Sequence, residues 1–201
     1  LGLLLTAGFS VFKVASGATS VETPFGSIDG HVKVPGQGEP ACEEFVGIPF
    51  AEPPVRFQPP EPWKNPFPGG KLDATSFGSS CLQVDTTAGQ PRLVGSEDCL
   101  YLNVWRPAQL PKSARLAVML WIHGGAFREG ASESPESPFT SFYDGCRMAA
   151  RQDILVVSLN YRLSIFGFGT FANSSDAKFF DANWGIKDQR EGMRWVQKHI
   201  S

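Results

Sequence analysis

"VMLWIHGGAFREG", residues 118–130, is the stretch on which the reading of this chain turns. Its first half is a short, nearly continuous apolar run, the pattern of a strand covered on both faces. Two glycines follow at 124 and 125. A glycine pair at the end of a strand lets the backbone approach something that side chains would hold away. Glycine pairs also serve plain tight turns, so the surrounding sequence has to decide. A phosphate-binding loop is excluded, because neither a Lys-Ser/Thr ending nor a helix opening on the glycines is present.

Working outward, "CLYLNVWRP" (99–107) reads as a strand closed by Pro107, and "DILVVSLNYR" (153–162) as a further core strand. "VETPFGSIDGHVKV" (21–34) alternates around glycines and reads as a β-hairpin. "EEFVGIPFAEPPVRFQPPEPW" (43–63) starts as a strand and then becomes extended, since its prolines forbid a helix. Residues 64–98 read as loop. "SFYDGCRMAARQ" (141–152) reads as a helix. The spacing in residues 183–201 predicts a second helix, with Ile186, Met193, Val196 and Ile200 on one face. The cluster "ASESPESP" (131–138) reads as a loop. Strands alternating with helices argue an α/β class.

The chain has 201 residues and 42% hydrophobic content, enough for one sizeable core. A net charge of −2 argues against a nucleic-acid partner or a polybasic membrane contact. The start, "LGLLLTAGFSVFKVASG", has an apolar run over residues 1–12, too short to span a bilayer. Small residues follow it, as at a signal-peptidase site. We read residues 1–17 as the remainder of a signal peptide and 18–201 as the folded portion, hence a secreted protein. No other run approaches transmembrane length. Four cysteines suit one or two disulfides in an oxidising compartment.

Five blocks, in order, make the chain resemble the type-B carboxylesterase, lipase and cholinesterase family of α/β-hydrolases. "SEDCLYLNVWRP" (96–107) is similar to that family's cysteine-containing signature, and "GIPFAEPPVRFQPP" (47–60) to its N-terminal segment. "WIHGGAF" (121–127) resembles its oxyanion loop. "VVSLNYRLSIFGF" (156–168) and "ANWGIKDQREGMRWVQKHI" (182–200) resemble its next two blocks. In wording the last two look closest to fungal secreted lipases. The resemblance implies an α/β-hydrolase fold, here its N-terminal portion: a mixed, mostly parallel central sheet flanked by helices. It implies carboxylic ester hydrolysis by a Ser-His-acid mechanism, no cofactor and no metal. The expected substrate is a small-molecule or lipid ester.

Acyl transfer builds negative charge on the former carbonyl oxygen, and backbone N–H donors stabilise it. By resemblance, Gly125 and Ala126 are those donors, and Gly124 frees the turn. In the family a G-x-S-x-G elbow follows later, and the acid and histidine later still. "GSIDG" (26–30), "GASES" (130–134) and "GFSVF" (8–12) do not fit the elbow. The expectation is therefore an N-terminal part ending before its nucleophile, inactive alone and partly uncovered in its core. Because the fold also hosts non-catalytic adhesion proteins, that alternative stands beside the enzyme; the oxyanion loop favours the enzyme.

The histidines give no general base. His31 reads as an exposed hairpin residue and His199 as a surface residue near a helix C-terminus. By resemblance His123 orients the loop rather than moving protons. The resemblance also pairs Cys81 with Cys99. The polar loop between them, too short to shield an acyl-chain tunnel, favours an esterase over a lipase. Cys42 and Cys146 have no implied role; they pair in an oxidising compartment or remain free. Finally, the resemblance implies two buried ion pairs, Arg56 with Glu97 and Arg162 with Asp188, where the guanidinium fork meets a carboxylate.

Overall fold

A computed structural model of the chain describes residues 17–86, 89–111, 113–133, 143–169 and 182–200. Of the expected leader, residues 1–17, all but Gly17 lie outside the described residues, as does the stretch 134–142. The hairpin is present as β1 (Ala18–Thr23) and β2 (Gly26–Lys33), paired antiparallel. β3 (Cys42–Pro49) continues the meander and pairs with β7 (Tyr101–Pro107). Beyond β7 lies β9 (Leu155–Leu159), and then β8 (Val118–Ile122), giving the order β1-β2-β3-β7-β9-β8.

The sheet is mixed, as expected, but its balance differs. β1–β2, β2–β3, β3–β7 and β7–β9 are antiparallel. Among the described strands only β8–β9 and the short pairing of β2 with β4 (Lys71–Asp73) are parallel. The reason is connectivity. β1 and β2 are joined by a tight turn and β2 and β3 by a connection without a helix, which suits antiparallel neighbours, whereas β8 and β9 are joined by a helical crossover, which parallel strands need. That crossover holds α1 (Cys146–Gln152), which starts later than the sequence suggests because Asp144 Oδ1 accepts the Cys146 N–H at 2.8 Å, ahead of the helical turn.

Residues 64–98 are more ordered in pattern than a loop. Besides β4 they form a small antiparallel hairpin of β5 (Gln83–Asp85) and β6 (Arg92–Val94). The run 118–122 is also less covered than its apolar pattern implies: Val118 is 40% and Trp121 42% exposed. Among the described strands β8 has one neighbour, β9, and lies at the sheet edge.

Side chains on the two sheet faces alternate with period 2. Leu102, Val104, Val157 and Leu159 face one core, with Ile28, Phe45 and Ile48. Trp105 and Val156 face the other, where Cys146, Ala149 and Ala150 of α1 cover them. The final helix, α3 (Trp184–His199), packs on the first face through Trp195 and Val196. Its inward side matches the predicted one in part: Val196 is buried and Ile200 packs against the core. Trp184, Asp188, Glu191, Trp195 and Val196 are buried, while Ile186 and Met193 are 44% and 45% exposed. An ion pair and two indoles select this face over the aliphatic spacing. His199 is half-buried, not a surface residue, with its ring 5.1 Å from Trp195 and 5.3 Å from Phe25.

Two disulfides tie the layers. Cys81–Cys99 closes the β5–β6 segment against the start of β7. Cys42–Cys146 links β3 to α1 across 104 positions. In the chain-entropy account such closures stabilise by about 3 and 5 kcal/mol respectively.

Candidate active site

β8 and β9 run parallel, with Ile122 opposite Leu159, so their C-terminal ends open on the same side. In open α/β sheets that edge is where ligands sit. The segment 123–130 leaves β8 there, beside residues 160–163 leaving β9.

His123 is buried and stacks on Tyr161 with ring centroids 4.4 Å apart. Tyr161 Oη donates to the His123 carbonyl at 2.9 Å. His123 Nδ1 lies 2.9 Å from the Gly124 carbonyl oxygen, so Nδ1 carries the proton. Burial lowers the His123 pKa to about 4, against the weaker raising effect of that hydrogen bond. The ring is therefore a neutral brace under the loop. It is not placed to exchange protons with a bound substrate.

The carbonyl and N–H of a trans peptide point in opposite directions. With the Gly124 carbonyl held against His123, the Gly125 N–H is turned away from the ring. Residues 124–129 are exposed, and among the described residues the amides of Gly124, Gly125 and Ala126 donate no hydrogen bond. The turn closes on itself instead: Gly125 O accepts from Arg128 N (2.9 Å) and Glu129 N (3.2 Å). Gly125 has φ +116°, and a Cβ there would lie 1.8 Å from the Glu129 carbonyl oxygen, so no other residue fits. Ala126 (φ 53°) and Phe127 (φ 61°) are also left-handed. Each such non-glycine residue costs about 1–3 kcal/mol, a strain that collects at functional sites. Phe127 is pinned by its ring, 4.6 Å from Phe168, and by its carbonyl, which accepts the Ser164 N–H at 2.7 Å; Ser164 opens the short helix α2 (Ser164–Phe168).

The far end of the segment is held by residues that pattern reading misses. Gly130 N donates to Gln83 Oε1 at 2.7 Å, and Gln83 Nε2 donates back to Gly130 O at 2.9 Å. Ser132 N donates to Asn160 Oδ1 (2.8 Å), and Asn103 Nδ2 to Ser132 Oγ (3.2 Å) and Ser158 Oγ (3.1 Å). Ala131, Ser132 and Glu133 are buried, so the serine- and proline-rich stretch begins inside the molecule. Burial, with Asp144 nearby, raises the Glu133 carboxyl to about 7. Nothing in the polarity of these residues marks them as interior; only the β9 end that they line does.

The two expected ion pairs both form, in different surroundings. Arg162 Nε and Nη2 meet Asp188 Oδ2 and Oδ1 at 2.8 and 2.7 Å, and the Arg162 N–H adds a third bond at 3.0 Å. Both side chains are buried. Desolvation pushes the Asp188 carboxyl up, and Arg162 pulls it back. Arg56 Nε meets Glu97 Oε2 at 2.7 Å, but the Arg56 side chain is 62% exposed. The expectation of burial is corrected there: the proline-rich run 53–60 lies on the surface and leaves the guanidinium in water. His31 is half-exposed, with Nε2 3.2 Å from Glu44 Oε1. Among the described residues no group of three or more His, Cys, Asp or Glu side chains is placed to hold a metal ion, and no helix is long and apolar enough to cross a membrane.

The profile of the carboxylesterase family matches residues 17–201. The chain is 39% identical over its whole length to the medium-chain fatty acyl-CoA hydrolase precursor of Anas platyrhynchos, covering 36% of that protein. It is 41% identical to the para-nitrobenzyl esterase of Bacillus subtilis (84% of this chain, 33% of that one). It is 40% identical to the acetylcholinesterase of Electrophorus electricus (90% and 28%). A solved PNB esterase structure superposes with a TM-score of 0.68 at 40% identity, over 90% of this chain and 34% of that one. The chain thus spans about a third of the length of the relatives it matches, and none of these relatives is fungal. Block order, sheet topology and these similarities agree: the chain belongs to the carboxylesterase family.

Proposed function

We propose that the full-length protein carrying this region hydrolyses carboxylic esters, with the N–H groups of Gly125 and Ala126 binding the oxyanion. The observation that carries the reading is the outward-turned Gly125 N–H, which donates no hydrogen bond among the described residues, on a strained turn braced by His123 at the C-terminal end of β8. Such donors are worth about 3–4 kcal/mol each when they meet charge that develops only in the transition state.

In this reading a serine oxygen bonds to the ester carbonyl carbon, and the carbonyl oxygen takes the negative charge into the loop. The carbonyl re-forms as the alcohol leaves with the serine's proton. Water repeats the sequence on the acyl-enzyme, releasing the acid and restoring the serine. The chain itself contains no G-x-S-x-G pentapeptide; its part is the oxyanion loop and the frame beneath it. No step needs a cofactor. The substrate is a small-molecule or lipid ester. Two disulfides support folding in a secretory or extracellular compartment.

The test is turnover of a short-chain aryl ester by the purified full-length protein. Saturable hydrolysis well above the uncatalysed rate is expected. A folded protein with no turnover across a series of acyl lengths would reject the proposal.

A further inference from the structure

We infer that Gln83 is a positioning residue for the oxyanion loop, coupling it to the Cys81–Cys99 disulfide; the inference rests on the oxyanion reading above. Gln83 is the first residue of β5, two positions after Cys81. Its amide engages both backbone groups of Gly130, taking the N–H at 2.7 Å and giving Nε2 to the carbonyl at 2.9 Å. Nε2 also donates to the Cys81 carbonyl at 2.9 Å. A carboxamide offers a donor and an acceptor side by side on one rigid plane, so this contact imitates a strand pairing across 47 positions.

Gly130 in turn packs on the group that aims the catalytic amide. It has φ +119°, and a Cβ there would lie 2.5 Å from His123 Nδ1 and 2.6 Å from the Gly124 carbonyl oxygen. That carbonyl belongs to the same planar peptide as the Gly125 N–H. Holding Gly130 in place therefore blocks the rotation that would swing the Gly125 N–H off line. The hairpin base is fixed as well: Ser96 N donates to Ser80 O (2.9 Å), Leu82 N donates to Ser96 O (3.0 Å), and the disulfide closes the frame. The route runs disulfide, Gln83, Gly130, Gly124–Gly125 peptide.

The experiment uses the full-length protein with Gln83→Ala and Gln83→Met. Methionine keeps the volume without the amide, so it guards against collapse of the hairpin. The readouts are kcat, KM and hydrogen exchange over residues 127–130. Expected are a kcat lower by roughly 10–100-fold, as for a misplacement of about 1 Å, and a KM changed less than about twofold. The Arg128 and Glu129 amides, which bond to Gly125 O, should exchange faster. Unchanged exchange at those amides in a folded variant overturns the inference, whatever the activity. Unchanged kcat overturns it too, and leaves the oxyanion reading standing if removal of the Ala126 N–H still lowers kcat by about 10²–10³-fold. Absence of esterase activity in the wild type rejects the parent reading, and exchange alone then decides for Gln83.

Discussion

Replacing Arg162 by alanine should destabilise the fold by about 3–5 kcal/mol, the cost of stranding one member of a buried ion pair. Asp188 is 0% exposed and loses two charged hydrogen bonds, keeping only the N–H of residue 162. The Val55 carbonyl loses a donor as well. The loss carries a pH signature. Burial already pushes the Asp188 carboxyl up, and without the guanidinium it rises further. A folded carboxyl raised above its unfolded value is favourable when protonated. Stability of the variant is then fully present below about pH 4 and falls as pH rises through the raised folded pKa. The gap between wild type and variant should therefore be full at pH 7 and should narrow towards pH 4. Arg162→Ala combined with Asp188→Asn should recover part of the loss at pH 7, because no charge is left buried. The assay is denaturant unfolding of the full-length protein at several pH values. A loss below about 1 kcal/mol, or one independent of pH, would refute the reasoning.

Four further outcomes follow. Gly125→Val should lower kcat far more than it raises KM, because a side chain there meets the Glu129 carbonyl and turns the loop; near-normal kcat in a folded variant contradicts it. His123 with a pKa near 4 resists protonation when folded, so its contribution is complete above about pH 6.5 and lost as pH falls through 4. Wild type should lose about 2 kcal/mol more than His123→Phe between pH 7 and pH 5, and parallel pH profiles would exclude this. Glu97→Gln should leave the melting temperature nearly unchanged, since its partner Arg56 lies in water; a large drop would place the pair in the interior. Non-reducing peptide mapping should recover Cys42 linked to Cys146 and Cys81 linked to Cys99, and alkylatable thiols at these positions would contradict it.

The β7, β8 and β9 strands were legible because their apolar runs have the length of strands, with β7 closed by Pro107 and β8 running into two glycines. The turn after β8 was legible because Gly125, where a Cβ would meet the Glu129 carbonyl, has to be glycine. The inward face of α3 was legible only in part: of the aliphatic positions Ile186, Met193, Val196 and Ile200, the last two meet the core, but Asp188 and the indoles of Trp184 and Trp195 take the place of the first two. Burial of Arg56 was misjudged for a related reason, since adjacency to an apolar block says nothing about which side a proline-rich segment turns to solvent. Gln83 left no periodic signal. A glutamine in a polar loop reads as solvated, and its role appears only when Gly130, far along the chain, is brought beside it.

The role proposed for the amides of Gly125 and Ala126 is to bind the oxyanion of an ester undergoing hydrolysis. Side-chain substitution tests it only through the shape of the turn. The direct measurement replaces the Ala126 N–H by oxygen, incorporating lactate as a backbone ester in the full-length protein, and compares kcat and KM with wild type. Expected is a kcat lower by about 10²–10³-fold with little change in KM; an unchanged kcat in a folded variant would remove these amides from the oxyanion site.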